Sequence, residues 1–235
     1  FDRGYARVQA EGSPQRRLEV EKSFFETLFS LLGYLAKADG RVSEQEVRQT
    51  ETYMSEMGLT AEHRREAIDL FKQGSAAGFD PDAQIANFRK TCGRRPNLVR
   101  MLLVYLVNIA LADGKLEEAE AQALRRVAAG LGISAAMFEQ LLQMIRAQNS
   151  FGGGGPGKAA PSSADELQRA YDALGVGPEA SDAQVKRAYR KLMSQHHPDK
   201  LIGQGMPDDM VKEANVRSHE IRTAYDLINR ARSGG

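Results

Sequence analysis

The stretch VKRAYRKLMSQHHPDK, Val185–Lys200, decides how the C-terminal third of the chain folds. Val185, Ala188, Tyr189 and Leu192 recur at intervals of three and four residues, which places them on one face of a helix. Lys186, Arg187, Arg190 and Lys191 fall on the opposite face, and no carboxylate interrupts them. Such a helix docks its apolar side on its own domain and turns its cations outward. Just upstream, Ser181-Asp182-Ala183-Gln184 is a capping box, in which Ser181 and Gln184 satisfy orphan N–H groups at the helix start. Just downstream, His197-Pro198-Asp199-Lys200 leads into an expected loop containing Gly203, Gly205 and Pro207.

Flanking segments complete a three-helix reading. Asp165–Leu174 is a short helix stopped at Gly175, and Asp208 opens a long one reaching about Arg230. Over residues 164–235 there are 11 Lys+Arg and 11 Asp+Glu, so the net charge is 11 − 11 = 0. Positive charge is therefore segregated onto the middle helix, which suits docking on an acidic partner surface.

Upstream lies Gln148–Ser163, QNSFGGGGPGKAAPSS, whose glycines and prolines describe a flexible tether. It divides the chain into an N-terminal domain, 1–147, a linker, 148–163, and a C-terminal domain, 164–235. The N-terminal domain contains a repeat. Ala38-Asp39-Gly40 returns as Ala112-Asp113-Gly114, an offset of 113 − 39 = 74, and in the same register Glu46 meets Glu120, Gly58 meets Gly132 and Thr60 meets Ser134. Two long copies describe a duplicated helical unit, not a solenoid.

Each copy reads as helix, Asp-Gly turn, helix, glycine turn, helix. In the first, Phe24, Phe25, Leu28, Leu31, Leu32 and Leu35 make the apolar stripe, Gly40 ends the helix, and Ser43 with Glu46 forms a second capping box. Met57-Gly58-Leu59-Thr60 and Leu131-Gly132-Ile133-Ser134 each pair a glycine stop with a hydroxyl N-cap. Pro81–Cys92 is one more amphipathic helix between the copies. No alternating β pattern is present, and the expected fold class is all-α.

Composition narrows the function. With 235 residues and a net charge of +1, no overall field draws the chain to nucleic acid or an anionic membrane. The one cysteine, Cys92, excludes a disulfide framework and a CxxC zinc module, and reads as a small buried hydrophobe in a reducing compartment. Phe1–Glu21 has no signal peptide. The most apolar run, Leu98–Ala112, has 15 residues and includes Arg100 and Asn108, fewer than the roughly 20 a membrane span needs. It is expected to be a central buried helix. His197 beside Asp199 could suggest a base with its orienting acid, yet no nucleophile motif, phosphate loop or metal cluster accompanies them. The chain is read as a non-enzyme with no cofactor.

The C-terminal motifs resemble the J-domain (DnaJ-like) family. The resemblance covers about 65 residues: Ala170–Val176 (AYDALGV), Val185–Leu192 (VKRAYRKL), His197–Lys200 (HPDK) and Ile221–Ile228 (IRTAYDLI). It implies that the His197-Pro198-Asp199 tip and the basic face of Lys186, Arg187, Arg190 and Lys191 contact an ATP-bound DnaK-type chaperone and trigger its ATP hydrolysis. Lys200 would add charge beside the tip, and Tyr189 contact area or core packing. Pro198 stiffens the start of the loop, Asp199 offers a carboxylate to a cation, and His197 offers ring hydrogen bonds.

Asp39-Gly40 and Asp113-Gly114, each followed at the sixth position by Glu46 or Glu120, match half of an EF-hand loop. The preceding ligand positions are Leu35 and Lys37, or Ile109 and Leu111, which excludes that calcium site. The duplicated pattern resembles the TerB (tellurite-resistance) helical domain, whose clustered acids can bind a metal. On that resemblance the metal candidates are Asp39, Glu46, Asp113 and Glu120; otherwise the Asp-Gly pairs make turns and the glutamates cap helices.

A TerB-like domain, a glycine-rich tether and a C-terminal J domain together resemble the DjlA family of membrane-anchored bacterial DnaJ-like proteins. Gly40-Arg41-Val42, Cys92 ahead of Leu98-Val99-Arg100-Met101, Gly132-Ile133-Ser134 and Arg190-Lys191-Leu192-Met193-Ser194 support the likeness. It implies a regulatory co-chaperone at the cytoplasmic face of a bacterial inner membrane. Residues 1 to about 20 would be a juxtamembrane lead-in, the anchor itself lying outside this sequence, and the anchored form a possible homodimer. Without a cysteine-rich zinc region or a β-rich client-binding part, client choice would fall to the TerB-like domain or to membrane location. The alternative is an adaptor whose N-terminal domain senses a metal or ligand, with the J domain as its output.

Overall fold

The computed structural model describes residues 13–38, 40, 48, 50–52, 54, 55, 57–111, 116–152 and 163–233. Among them every regular element is helical, as the absence of alternating apolar residues predicts. Contacts divide the chain into two compact units: Phe1–Ser134 together with Leu201–Lys212, and Ala135–Lys200 together with Glu213–Gly235.

In the first unit, α1 spans Pro14–Ala36, starting earlier than its apolar stripe because Ser13 caps it and Pro14 fits the first helical turn. Next come α2 (Ala61–Gly74), α3 (Pro81–Cys92), α4 (Pro96–Ala110) and α5 (Glu118–Gly130). Thr60 caps α2 by accepting the His63 N–H, and Asp80 caps α3 by accepting from Asp82 and Ala83. The core gathers Phe24, Phe29, Phe88 and Tyr105, with the Phe24 ring 6.3 Å from Phe88 and 6.2 Å from Tyr105. The apolar run ahead of the second Asp-Gly is the buried helix α4, where eleven of fifteen residues are buried. Arg100 in that helix has its pKa lowered by burial. Cys92 is fully buried, and desolvation pushes its thiol up to about 11, so it is chemically quiet.

Two close approaches organise this unit. Helices α1 and α2 touch backbone to backbone at Gly33 and Gly74: a Cβ on Gly33 would stand 1.9 Å from the Phe71 carbonyl oxygen, and one on Gly74 1.8 Å from that of Ser30. On the surface, Arg126 of α5 grips Asp82 of α3 with two bonds, at 2.6 and 3.3 Å, which holds the Asp82 carboxyl below its ordinary range.

The repeat is visible where it is described. Gly58 and Gly132 both take positive φ, +88° and +83°, and the helices that follow start at Ala61 and Ala135, which are 135 − 61 = 74 residues apart. Gly40 has φ +103°, the left-handed stop expected of it. The Ser43–Glu46 capping box and the second Asp-Gly turn lie outside the described residues.

The second unit begins with α6, Ala135–Gly152, and continues with α7 (Ser163–Leu174), α8 (Asp182–His196), the start of α9 (Pro198–Gly203) and, from Glu213 on, α10 (Val211–Ser233); the rest of α9 and the 3-10 turn Asp208–Met210 fall in the segment grouped with the first unit. The glycine-rich stretch is thus helical at both margins, through Gln148–Gly152 and from Ser163, while residues 153–162 lie outside the described set. The segment expected to be a loop after His197 contains the short helix α9, because Pro198 occupies a first helical turn, where its missing N–H costs nothing. Met206 then donates its N–H to the Leu201 carbonyl at 3.0 Å, and Gly205 takes φ +97°.

Arg232, near the end of α10, ties this unit together. Its guanidinium donates to the Tyr171 hydroxyl at 2.9 Å, Asp182 Oδ1 at 2.6 Å, and the Pro178 and Ala180 carbonyls at 3.2 and 2.7 Å. It also stands 5.3 Å from the Tyr171 ring centroid. Charged hydrogen bonds of this kind contribute about 2 kcal/mol when lost together with their partners' pairing. Arg232→Ala should lower the thermal midpoint of the second unit by several degrees; an unchanged melting curve would show that the guanidinium is dispensable.

Candidate functional site: a histidine-proline-aspartate tip beside a basic helix

The basic helix is built as its sequence requires. Ser181 Oγ accepts the Gln184 N–H at 3.3 Å and Gln184 Oε1 accepts the Ser181 N–H at 2.7 Å, which closes the capping box at the start of α8. Val185 and Leu192 are buried, and Ala188 and Tyr189 are half-buried. The Tyr189 ring lies on that of Tyr225 in α10, centroids 4.2 Å apart and planes 15° apart. Tyr189 therefore serves the α8–α10 packing and keeps one edge outward.

On the far side Lys186, Arg187, Arg190 and Lys191 are all exposed. They form two i, i+4 pairs on one helical face, and none takes part in the ion pairs formed among the described residues. Unneutralised, the patch presents its full charge to an incoming surface.

The tip stands where α8 stops. His197 leaves the helix in an extended conformation, φ −65° and ψ 122°, because the residue before a proline is pushed out of the helical region. Pro198 opens α9 and Asp199 lies in its first turn. The His197 and Asp199 side chains are exposed and Pro198 is half-buried. Underneath, His196 is almost wholly buried, so the two adjacent histidines have separate tasks: His196 packs and His197 projects. Its fixed neighbours brace the tip. Ser218 of α10 donates its hydroxyl to the His196 carbonyl at 3.1 Å, Lys200 donates its N–H to the His197 carbonyl at 3.1 Å, and Lys200 Nζ reaches Ser194 Oγ at 2.6 Å. Lys200 is thus partly spent on holding the turn. Sequence reasoning missed Ser218, and a serine 22 residues downstream carries no local signal of this role.

The expected contact residues Lys186, Arg187, Arg190, Lys191, His197, Pro198, Asp199 and Lys200 therefore fall on one helix and the turn that ends it. The arrangement provides exposed cations, a stiff turn and one exposed carboxylate.

Residues 169–233 match the DnaJ domain family, and residues 26–143 match the family described as tellurite resistance protein TerB. The co-chaperone protein DjlA of Vibrio cholerae is 38% identical over 231 residues, covering 93% of this chain and 81% of that protein. That of Coxiella burnetii is 35% identical over 99% of this chain and 87% of its own length. The chain belongs to the DjlA family. Escherichia coli O157:H7 carries another DjlA co-chaperone, 37% identical over 97% of this chain. No solved structure matches the chain. The DjlA assignment makes this a J-domain co-chaperone with a TerB domain ahead of the J domain.

Of the TerB acids singled out as metal candidates, Asp39, Glu46 and Asp113 lie outside the described residues. Glu120 is described, and it caps: its Oε2 accepts the Glu117 N–H at 3.1 Å at the start of α5. Among the described residues no group of three or more His, Cys, Asp or Glu could hold a metal ion. Among them, too, no helix is long and apolar enough to cross a membrane.

Proposed function

We propose that this DjlA-family chain docks on a DnaK-type chaperone through its basic helix and tip and stimulates that partner's ATP hydrolysis. The observation that carries the reading is the exposed, unneutralised face of Lys186, Arg187, Arg190 and Lys191 running directly into the exposed His197–Asp199 turn. The cations steer and orient an acidic partner. The turn, stiffened by Pro198 and braced from Ser194 and Ser218, sets His197 and Asp199 at a fixed place for the contact that couples binding to hydrolysis. Nothing at the tip needs to perform chemistry, and the hydrolysis belongs to the partner.

The TerB-type domain, up to about residue 147, and membrane attachment at the cytoplasmic face of the bacterial inner membrane would choose where the chaperone is recruited and for which clients. An anchored form would pair as a homodimer. Single-turnover ATP hydrolysis by a bacterial DnaK tests the reading: the rate should rise with added chain and saturate. A flat rate at high chain concentration would sink it.

A further inference from the structure

Within the first unit, α1, α5 and the turn between α2 and α3 line a groove of about 560 Å³. Small side chains open the space: Ala123 of α5 is buried in it, and Ala76 and Ala77 line it from the turn while staying exposed. The rings of Tyr34 and Phe79, both half-buried, form its apolar wall, with centroids 6.2 Å apart and planes at 43°.

The charge of the groove has one sign. Lys37, at the end of α1, and Arg126, on α5, both line it, and among the described residues no carboxylate does. Arg126 is already held by its two bonds to Asp82, which share its charge. Lys37 is different, because it joins none of the ion pairs formed among the described residues. A lysine here has a structural use, since a cation suits the carbonyls at a helix C-terminus. That use leaves the ammonium able to take an anion as well. Gln122 adds a neutral amide that can donate and accept.

We propose that this groove binds an acidic peptide segment, with a carboxylate side chain on Lys37 and Arg126 and an adjacent apolar side chain against Tyr34 and Phe79. Small-molecule sites bury most of their ligand. This one is open to solvent at Ala76 and Ala77, which suits a segment whose ends continue beyond the groove. The cations select for negative charge, and the two rings supply contact area. The site stands on its own geometry, while its use in choosing clients for the chaperone rests on the co-chaperone reading.

The test titrates the full, isotope-labelled chain with an acetylated and amidated peptide of alternating glutamate and phenylalanine. Saturable shifts are expected at the amides of Lys37, Ala77 and Gln122. Lys37→Met should weaken binding about fivefold, the scale of one exposed ion pair. Ala77→Trp, at an exposed position, should fill the groove and weaken binding about tenfold while leaving the melting curve unchanged. Absence of shifts at millimolar peptide would overturn the proposal. So would equal binding of a peptide with lysine in place of glutamate. Phenylacetate binding as tightly as the peptide would assign the groove to small carboxylic acids instead, and would overturn it too. Should the peptide bind as expected while the unsubstituted chain fails to stimulate DnaK, the groove stands and its role in client choice falls.

Discussion

Alanine at Gly74 is expected to unfold much of the N-terminal unit. A methyl group there would lie 1.8 Å from the Ser30 carbonyl oxygen and 2.6 Å from its carbon, and both belong to helix backbone. No rotamer change can relieve such a contact; α1 and α2 must move apart. Separation would loosen the packing of Phe71 on α2 and of Phe25, Phe29 and Leu32 on α1, all of them buried. Overpacking usually costs 1–3 kcal/mol, and with both faces made of backbone the loss should be roughly 3 kcal/mol or more. The thermal midpoint would then fall by about 10 °C. Gly33→Ala meets the Phe71 carbonyl in the same way and should behave alike. A Gly74→Ala protein melting within a degree or two of the original would mean that the two helices do not cross this closely.

Reversing charge on the basic helix should affect the partner contact most and the fold least. Lys186 and Arg190 are exposed and one turn apart, and neither joins an ion pair formed among the described residues. Glutamate at both keeps helix propensity and leaves the Ser181–Gln184 box intact. The face would change from four cations to two cations and two anions, turning steering into local repulsion. Half-maximal stimulation of DnaK should need at least about tenfold more chain, and the deficit should shrink as salt rises from low to high, because screening acts on both chains. A salt-independent loss would point to damaged folding, which circular dichroism would reveal. An unchanged response would show that these cations face solvent and nothing else.

Local signals in the sequence carried most of the site and much of the fold. The Ser181–Gln184 box, the Thr60 cap, the paired turns at Gly58 and Gly132, and the helix Pro81–Cys92 all depend on residues within a few positions of each other, and each is found as read. Long-range features were not legible. Gly33 and Gly74 look like ordinary glycines until two helices are seen to cross on them. Arg232 reaches back across 50 to 61 residues to Asp182 and Tyr171, and nothing near Arg232 announces this. Tyr105, whose hydroxyl donates to the Met210 carbonyl, was hidden in an apolar run because hydrophobic pattern weighs its ring and ignores its hydroxyl. The short helix Pro198–Gly203 was read as loop because proline and glycine punctuate it, although both tolerate its first and last positions. Around Asp39, Glu46 and Asp113 the sequence reading stays an expectation.

The central claim is that the His197–Asp199 turn transmits the signal to the chaperone, and His197→Gln tests it most directly. His197 is exposed, so glutamine should leave melting behaviour unchanged and keep the basic helix available for docking. The measurement is single-turnover ATP hydrolysis by DnaK with the original chain and with the variant, across a range of concentrations. The account predicts stimulation by the original chain and almost none by His197→Gln at any concentration. Equal stimulation by the two would contradict it, and would move the activating contact away from the tip.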